Sequence, residues 1–294
     1  MPARTALSGH DPVHDVQGAQ CAATERLASR TLRPMSLPDR PAMVPDLSTR
    51  LRDQPFLLGS WLTILDSTVA ELMAGAGFDL LVADGEHGPV ATSDLVQMLI
   101  ASRAAGVPLL FRVAANEPVR IMHALDAGAA GVVVPQIRTV ADAERAVAWC
   151  RYPPVGLRGI APRRASDYGR STAEYLGTAN DRVVCCIQIE THEALADLDA
   201  ILAVPGIDTI LIGPNDLSAA LGHIGDLGHA DVETAIATVL ERSAAHGIPA
   251  GIWTASVAQA RARRGQGFRW ATLGTDYGFM ASAADTAARD VRAP

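Results

Sequence analysis

Val183-Val184-Cys185-Cys186-Ile187 runs without a break into Gln188-Ile189-Glu190, so a wholly apolar stretch ends on a carboxylate. A short run of β-branched and small apolar side chains reads as a strand buried on both faces. Thr209-Ile210-Leu211-Ile212 repeats the form and ends in Gly213-Pro214-Asn215-Asp216. Two earlier runs do the same, Leu80-Leu81-Val82-Ala83 leading to Asp84-Gly85-Glu86-His87 and Leu109-Leu110-Phe111 leading to Arg112. Polar side chains at the carboxyl ends of several buried parallel strands are how α/β barrels build active sites.

From about residue 55 such runs alternate with longer amphipathic segments, the pattern of repeated βα units. The spacing predicts eight strands, at 56–62, 79–83, 108–113, 131–135, 183–189, 208–213, 248–253 and 270–274. It predicts helices at 67–76, 92–105, 117–127, 139–150, 193–203, 231–246, 256–264 and 280–290, with Gly77, Gly106, Gly128 and Gly247 at helix ends. Eight of each make a (β/α)8 barrel, an α/β fold that occupies residues 51–294 as one domain. A doubly wound open sheet is the competing architecture. It carries a glycine-rich fingerprint after its first strand, which Gly59-Ser60-Trp61 does not match.

All 25 Lys+Arg residues are arginine, so the chain has no lysine. That excludes a Schiff-base lysine, pyridoxal-phosphate (PLP) chemistry and Walker-type nucleotide binding, each of which requires the amine. A barrel of this kind that makes or breaks carbon–carbon bonds therefore needs a metal to withdraw electrons. A net charge of −7 with scattered arginines gives no cationic face for nucleic acid. No apolar run reaches the roughly 18 residues needed to span a bilayer, and no secretory core is present. Cys21, Cys150, Cys185 and Cys186 lack metal-type spacing and read as reduced thiols, which fits the cytoplasm. Residues 1–50 mix prolines with both signs of charge and are expected to form a disordered extension, with Met35 and Met43 as alternative starts.

One connection is long: residues 151–182 separate the fourth helix from the fifth strand and contain Arg163 and Arg164. Long ordered loops are often functional, and this one is read as a lid or an interface segment.

Glu190 and Asp216 follow consecutive strands, so their oxygens can converge on one hard cation. Two carboxylates leave coordination positions for water and for a chelating 2-oxo acid, a set suited to Mg²⁺ or Mn²⁺. The competing assignment makes both acids helix caps, with Asp216 as an N-cap residue before Leu217-Ser218. His87 can act as a base near neutral pH, oriented by Asp84 and Glu86 within a loop stiffened by Gly85, Gly88 and Pro89. Arg112 can stabilise an enolate oxygen or recognise a carboxylate, or it can form an interior salt bridge to Asp84 or Glu86.

Taken together, Gly59-Ser60-Trp61-Leu62, the run Ala70 to Asp79, Asp84-Gly85-Glu86-His87-Gly88-Pro89, Arg151 to Gly159, Gln188-Ile189-Glu190-Thr191 and Gly213-Pro214-Asn215-Asp216-Leu217-Ser218 resemble the metal-dependent pyruvate aldolases of the HpcH/HpaI aldolase/citrate lyase family. The resemblance covers roughly residues 55–290 and implies a phosphoenolpyruvate/pyruvate-type barrel. It further implies Glu190 and Asp216 as ligands of a divalent metal (Mg²⁺, Mn²⁺ or Co²⁺), Gln188 as a contact to the 2-oxo acid, and the amides of Asn215 and Asp216 as its carboxylate site. His87 matches the acid–base histidine and Arg112 the enolate-stabilising arginine. Asp126 matches an aspartate that raises the basicity of that histidine. A barrel drawing puts Asp126 at the far end of its helix, so a neighbouring chain must bring it to His87 unless its role is structural. The resemblance implies a homo-oligomer, a hexamer of two trimers. The chain departs from the family at Ile160-Ala161-Pro162-Arg163-Arg164, where many relatives have a glycine-containing turn.

The expected activity is reversible retro-aldol cleavage of a 4-hydroxy-2-oxo acid to pyruvate and an aldehyde through a metal-held enolate. Two other readings compete. One is a citrate lyase β-like lyase on a CoA thioester, for which Arg163-Arg164 is the candidate cationic path. The other is a barrel that binds a 2-oxo acid without turnover.

Overall fold

A computed structural model describes residues 46–89 and 91–293. Eight strands close into a barrel in sequence order, every neighbouring pair parallel, with β8 returning to β1. They are β1 (Leu57–Leu62), β2 (Leu80–Asp84), β3 (Leu109–Arg112), β4 (Gly131–Val134), β5 (Val184–Ile189), β6 (Thr209–Ile212), β7 (Ala250–Thr254) and β8 (Trp270–Thr275). Each lies within a residue or two of its predicted span.

Strand alternation decides what each residue does. Leu80, Val82, Leu110, Val133, Val184, Cys186 and Leu211 form an inner cluster with Leu57, Trp61 and Trp270. Their neighbours Leu81, Ala83, Leu109, Phe111, Val132, Cys185, Ile187, Ile189 and Ile210 belong to the outer cluster, beneath the helices. Side chains two apart share a face. Asp84, Arg112, Gln188 and Glu190 therefore continue the inward rows begun by Val82, Leu110, Val184 and Cys186. The lower layers are apolar and the top layer is polar by the same period of two. Trp270 fills one lower layer, its Nε1 donating to Thr209 Oγ1 at 2.8 Å, and a Cβ at Gly251 would stand 2.0 Å from its ring.

The first helix, α1 (Leu47–Asp53), begins inside the segment predicted to be disordered. Residues 46–50 are ordered because Leu47 and Leu51, one turn apart, enter the inner cluster and close the bottom of the barrel. Arg50 donates to Asp79 O at 2.7 Å and to Asp79 Oδ1 at 2.8 Å, fixing α1 to the start of β2. The rest of the expected extension, residues 1–45, lies outside the described residues.

The outer helices are α2 (Ser67–Gly75), α3 (Thr92–Ala104), α4 (Pro118–Asp126), α5 (Val140–Cys150), α6 (Thr172–Arg182), α7 (His192–Ala196), α8 (Leu198–Leu202), α9 (Pro214–Ala220), α10 (Ala230–Ala245), α11 (Val257–Gln266) and α12 (Asp276–Arg292). The single helix predicted at 193–203 is broken at Asp197 into α7 and α8. Helix α6 occupies the second half of the long connection, where only loop was expected.

That connection is not a lid. Arg151 donates to Val183 O, Gly206 O and Asp208 Oδ2, Arg164 to Ala127 O, and the amide of Ala165 to Asp126 O. All of these partners lie where helices end and strands begin, at the amino-terminal face of the barrel. The interface half of the expectation keeps its basis, because Val155, Leu157, Ile160 and Tyr168 are exposed there.

Helix α12 is anchored at one end and bare along most of its length. Asp276 accepts from Thr63 N and Ile64 N, each at 2.8 Å, and from Thr63 Oγ1 at 2.6 Å, and it is the one buried residue of the helix.

Candidate active site

The carboxyl ends of β2, β3, β5 and β6 bring the predicted residues to one mouth, joined there by the end of β4. Glu190 is buried just past β5. Its Oε1 accepts from the Gln136 amide at 3.0 Å and from Gln136 Nε2 at 3.2 Å, and its Oε2 accepts from Gln188 Nε2. Burial pushes the Glu190 carboxyl up to about 7, and the nearby negative charges of Asp216 and Glu86 add to the rise against the donors that oppose it. Burial also raises Glu86, and Asp216 again contributes. Three carboxylates thus face a common space without a full set of cations.

Asp216 is not the N-cap. Gly213 holds that position, Pro214 is the first residue of α9, and Asp216 lies in its first turn. The first bond inside the helix runs from Leu217 N to Gly213 O at 3.0 Å, which leaves the amides of Asn215 and Asp216 without an intrahelical acceptor. Gly213 is required by contact. A Cβ there would stand 2.5 Å from Glu190 Oε2 and 2.8 Å from Gln188 Nε2. Gln188 Oε1, opposite, is buried with no hydrogen-bond partner.

Arg112 makes the interior ion pairs. Its Nε donates to Asp84 Oδ1 at 2.9 Å and its Nη2 to Asp84 Oδ2 at 2.6 Å, while Nη1 stands 3.1 Å from Glu86 Oε2. The guanidinium also lies over the Trp61 ring, 4.4 Å from the centroid. Burial alone would raise Asp84, but the bonds and charge of Arg112 and the amides of His87 and Glu86 outweigh it and hold the group below its ordinary value. Those amides reach Asp84 Oδ1 at 3.2 and 3.0 Å, so Asp84 shapes the loop that carries His87. The His87 ring is 65% exposed, with Nε2 3.9 Å from Glu86 Oε2. Glu86 is the carboxylate that faces the ring. Asp84 acts on His87 through the backbone.

Asp126 is elsewhere within this chain. It ends α4 at the amino-terminal face, where its Oδ1 accepts from Arg158 Nη2 at 2.7 Å. Arg158 is fully buried beneath Tyr152, 4.5 Å from the ring centroid. Arg163 and Arg164 share that face, so they offer no cationic path to the mouth.

Two contributors, Gln136 and Trp61, carry no assignment from the sequence, and a third, Glu86, has a larger part than expected. Gln136 follows Val132-Val133-Val134-Pro135 at the end of β4 and adopts a left-handed backbone, φ 56°, that aims both its amides at Glu190. It carries the same signal, a polar residue after an apolar run, that marked the others. Glu86 was assigned only an orienting part, although it touches both Arg112 and His87. Trp61 has no polar signature and is found only through its contact with Arg112. A cavity of about 310 Å³ opens beside the carboxylates, lined by Gln136, Arg138, Glu190, Thr191, Glu193 and Asp216. Another of similar volume, lined by Thr92, Phe111, Glu117, Arg120 and His123 among others, lies outside the barrel wall and touches none of these acids.

A closed parallel barrel with buried Glu190 and half-buried Asp216 at consecutive strand ends defines a (β/α)8 barrel with an acid-lined mouth, the place where such barrels carry their active sites. The profile described as HpcH/HpaI aldolase/citrate lyase matches residues 57–283, and the chain belongs to that family. It is 41% identical over 236 residues to the 2-dehydro-3,6-dideoxy-6-sulfogluconate aldolase of Pseudomonas putida, covering 80% of this chain and 92% of that one. Identity to the 5-keto-4-deoxy-D-glucarate aldolase of Shigella dysenteriae serotype 1 (strain Sd197) is 38% over 226 residues, 77% of this chain and 88% of the other. The crystal structure of an HpcH/HpaI aldolase/citrate lyase family protein from Burkholderia cenocepacia J2315 superposes with a TM-score of 0.81 at 40% identity, covering 84% of this chain and 99% of that one. The chain is an aldolase, a carbon–carbon lyase, and the two competing readings are not favoured.

Proposed function

We propose that this chain binds one divalent ion, Mg²⁺, Mn²⁺ or Co²⁺, through Glu190 and Asp216 and uses it to cleave a 4-hydroxy-2-oxo acid to pyruvate and an aldehyde. One observation carries the reading: Glu190 is buried with Asp216 and Glu86 close enough to act on it, and burial first, then these two negative charges, raise its proton affinity in a place a cation would suit. The donors are all oxygen, which fits hard ions. The orphan acceptor on Gln188 fits a bound ligand group at the same place. When bound, a divalent ion supplies electron withdrawal from the keto oxygen.

The side chains supply the rest. Gln188 and the free amides of Asn215 and Asp216 orient the 2-oxo acid, a helix start being a natural seat for its carboxylate. His87, exposed and facing Glu86, takes the C4 hydroxyl proton. The C3–C4 bond then breaks, the aldehyde leaves, and the electron pair is held as an enolate. Asp84 takes the Nε N–H and one N–H of Nη2 and Glu86 pairs with Nη1 by charge, so the two terminal nitrogens keep N–H groups for the enolate oxygen. Protonation at C3 gives pyruvate, and no lysine takes part in the cycle.

The assembly belongs to the same proposal. Helix α12 exposes Tyr277, Phe279 and Met280 on the mouth side, and the 155–168 segment exposes Val155, Leu157 and Ile160 on the opposite face. Two such apolar surfaces support a closed homo-oligomer, a hexamer, in which a neighbour brings Asp126 to His87. Among the described residues no helix is long and apolar enough to cross a membrane, and Cys150, Cys185 and Cys186 are buried and free. These thiols support a cytoplasmic setting. The partners are small molecules, a 2-oxo acid and an aldehyde.

The test is pyruvate release from 4-hydroxy-2-oxo acids with and without EDTA. Activity should vanish with the chelator and return with Mg²⁺, Mn²⁺ or Co²⁺, and borohydride with pyruvate should leave the protein unlabelled. Full turnover in a metal-free preparation would refute the reading.

A further inference from the structure

A second convergence of metal-ligating groups lies in the turn that joins α9 to α10. His223, His229 and Asp231 each offer a donor atom, and the three atoms lie within 4.8 Å of one another. Nε2 of His223 is 2.9 Å from Asp231 Oδ2, and Nδ1 of His229 is 3.6 Å from the same oxygen. The two imidazoles are stacked, centroids 3.4 Å apart and planes 16° from parallel. Face-to-face stacking is the less favoured arrangement of two aromatic rings. Both rings turn a nitrogen toward the same carboxylate oxygen, and only His223 Nε2 is close enough to hydrogen-bond to it.

The turn holds these donors in place by its own backbone. His223 N donates to Ser218 O at 2.7 Å, Gly225 N to Ser218 Oγ at 3.3 Å, Asp226 N to His223 O at 2.9 Å and His229 N to Asp226 O at 3.2 Å. Nothing in the aldol chemistry uses the two histidines. The Asp231 amide donates to His229 Nδ1 at 3.2 Å, so that nitrogen carries a lone pair. Nδ1 is therefore in the state a metal ligand requires.

We propose that His223, His229 and Asp231 form a second metal site, for a borderline divalent ion such as Zn²⁺ or Ni²⁺. Two imidazoles and one carboxylate suit that class of ion, whereas Glu190 and Asp216 present only oxygen. With bonds of 2.0–2.1 Å in a tetrahedral shell, ligand atoms stand roughly 3.4 Å apart, and the observed 2.9 and 3.6 Å lie on either side of that value. The fourth position is left for water. On binding, the Asp231 amide gives up His229 and turns to solvent, as amides at an exposed helix start readily do, and the two partly exposed rings swing out of their stack so that each nitrogen lone pair points at the ion. The role is structural: the ion ties the 221–229 turn to the start of α10. Ser218, whose Oγ donates to Asn215 O at 2.7 Å, links that turn to the first turn of α9.

The test uses the full chain, stripped with chelator and titrated with Zn²⁺ while bound ion per chain and the melting temperature are both measured. Wild type should bind one more equivalent than His223→Ala/His229→Ala, and Zn²⁺ should raise its melting temperature by more. Glu190→Gln should keep the extra equivalent, because it alters only the other site. Asp231→Asn preserves shape while removing the charge and should weaken that equivalent at least tenfold, so the proposal remains testable if the double variant folds poorly. Any ion held by His10 or His14 is common to all variants and drops out of the differences. Equal stoichiometry and an equal thermal shift in wild type and the double histidine variant overturn the proposal, as does unchanged Zn²⁺ affinity in Asp231→Asn.

Discussion

Gln136 holds Glu190 twice through one oxygen, its main-chain N–H at 3.0 Å and its side-chain amide at 3.2 Å both donating to Oε1. The two donors stabilise the charged carboxylate in a place where burial favours the neutral acid. Gln136→Gly removes one donor while relieving the left-handed backbone, and Gln136→Ala removes the same donor and retains that strain. Hydrogen bonds to charged groups contribute about 1.5–3 kcal/mol. Divalent-ion affinity at neutral pH should therefore fall about tenfold or more in both variants, as read by calorimetric titration. An affinity equal to wild type would show that the backbone bond alone positions Glu190.

The protonation of Glu190 sets a direction in pH. Its carboxyl is raised from 4.5 to about 7, so between those values the folded chain binds a proton that the unfolded chain has released. Ion-free protein should accordingly lose stability as pH rises through that window, by about 3 kcal/mol in order of magnitude, observable in denaturant titrations at pH 5 and pH 8. Ion binding runs the opposite way. Since the ion displaces that proton, affinity should rise about tenfold per pH unit up to about 7 and then level off. A flat profile between pH 5.5 and pH 7 would mean that Glu190 is already ionised.

Gly213→Ala tests the packing around the same carboxylate. The new methyl would meet Glu190 Oε2 at 2.5 Å and Gln188 Nε2 at 2.8 Å, and both groups are buried, so one of them must move. Displacing a ligand or the groups that orient it typically costs 10–100-fold in metal affinity. That loss is expected in metal titration, with turnover falling in parallel and the circular dichroism spectrum unchanged. Wild-type metal affinity would mean that the site relaxes around the methyl.

The barrel and most of its mouth were legible because both follow from the period of two. Val184 and Cys186 announce an inward row, and Gln188 and Glu190 are its continuation. What stayed hidden depends on contacts between distant segments. Trp61 meets Arg112 only because β1 and β3 sit on either side of β2. Helix α1 was masked by averaging composition over residues 1–50, although Leu47 and Leu51 carry the spacing of a packed helix. The path of residues 151–171 depends on Arg151, whose three acceptors lie 32 to 57 residues away in the chain.

Arg112 both braces the site and faces the chemistry, and two variants separate these roles. Arg112→Ala should lower turnover by about two to three orders of magnitude, the usual loss when a strong donor to a developing oxyanion is removed. It also leaves Asp84 buried without its cation, which costs about 3–5 kcal/mol when one partner of a buried pair is deleted. Arg112→Lys keeps the charge but cannot reproduce the paired bonds from Nε and Nη2 to Asp84. It should recover most of the lost stability and little of the turnover. Exchange of pyruvate methyl protons reports enolate formation directly, and a normal exchange rate in either variant would remove Arg112 from that step.

Asp126 has two competing assignments, and they differ in what its asparagine variant changes. As the partner of Arg158, Asp126 neutralises a fully buried guanidinium whose Nε and Nη1 have no hydrogen-bond partner, so Asp126→Asn should lower the melting temperature. As a carboxylate lent to the neighbouring His87, it would favour the protonated imidazole and raise its basicity. Removing it should then move the acidic limb of the activity–pH profile to lower pH and reduce the plateau. Light scattering completes the test, because the lent carboxylate requires assembly. We expect a closed oligomer whose specific activity falls on dilution below its assembly constant, and an Asp126→Asn enzyme altered in both stability and pH profile. A fully active monomer, or a variant that melts earlier with an unchanged profile, would confine Asp126 to its bond with Arg158 and leave Glu86 as the carboxylate that serves His87.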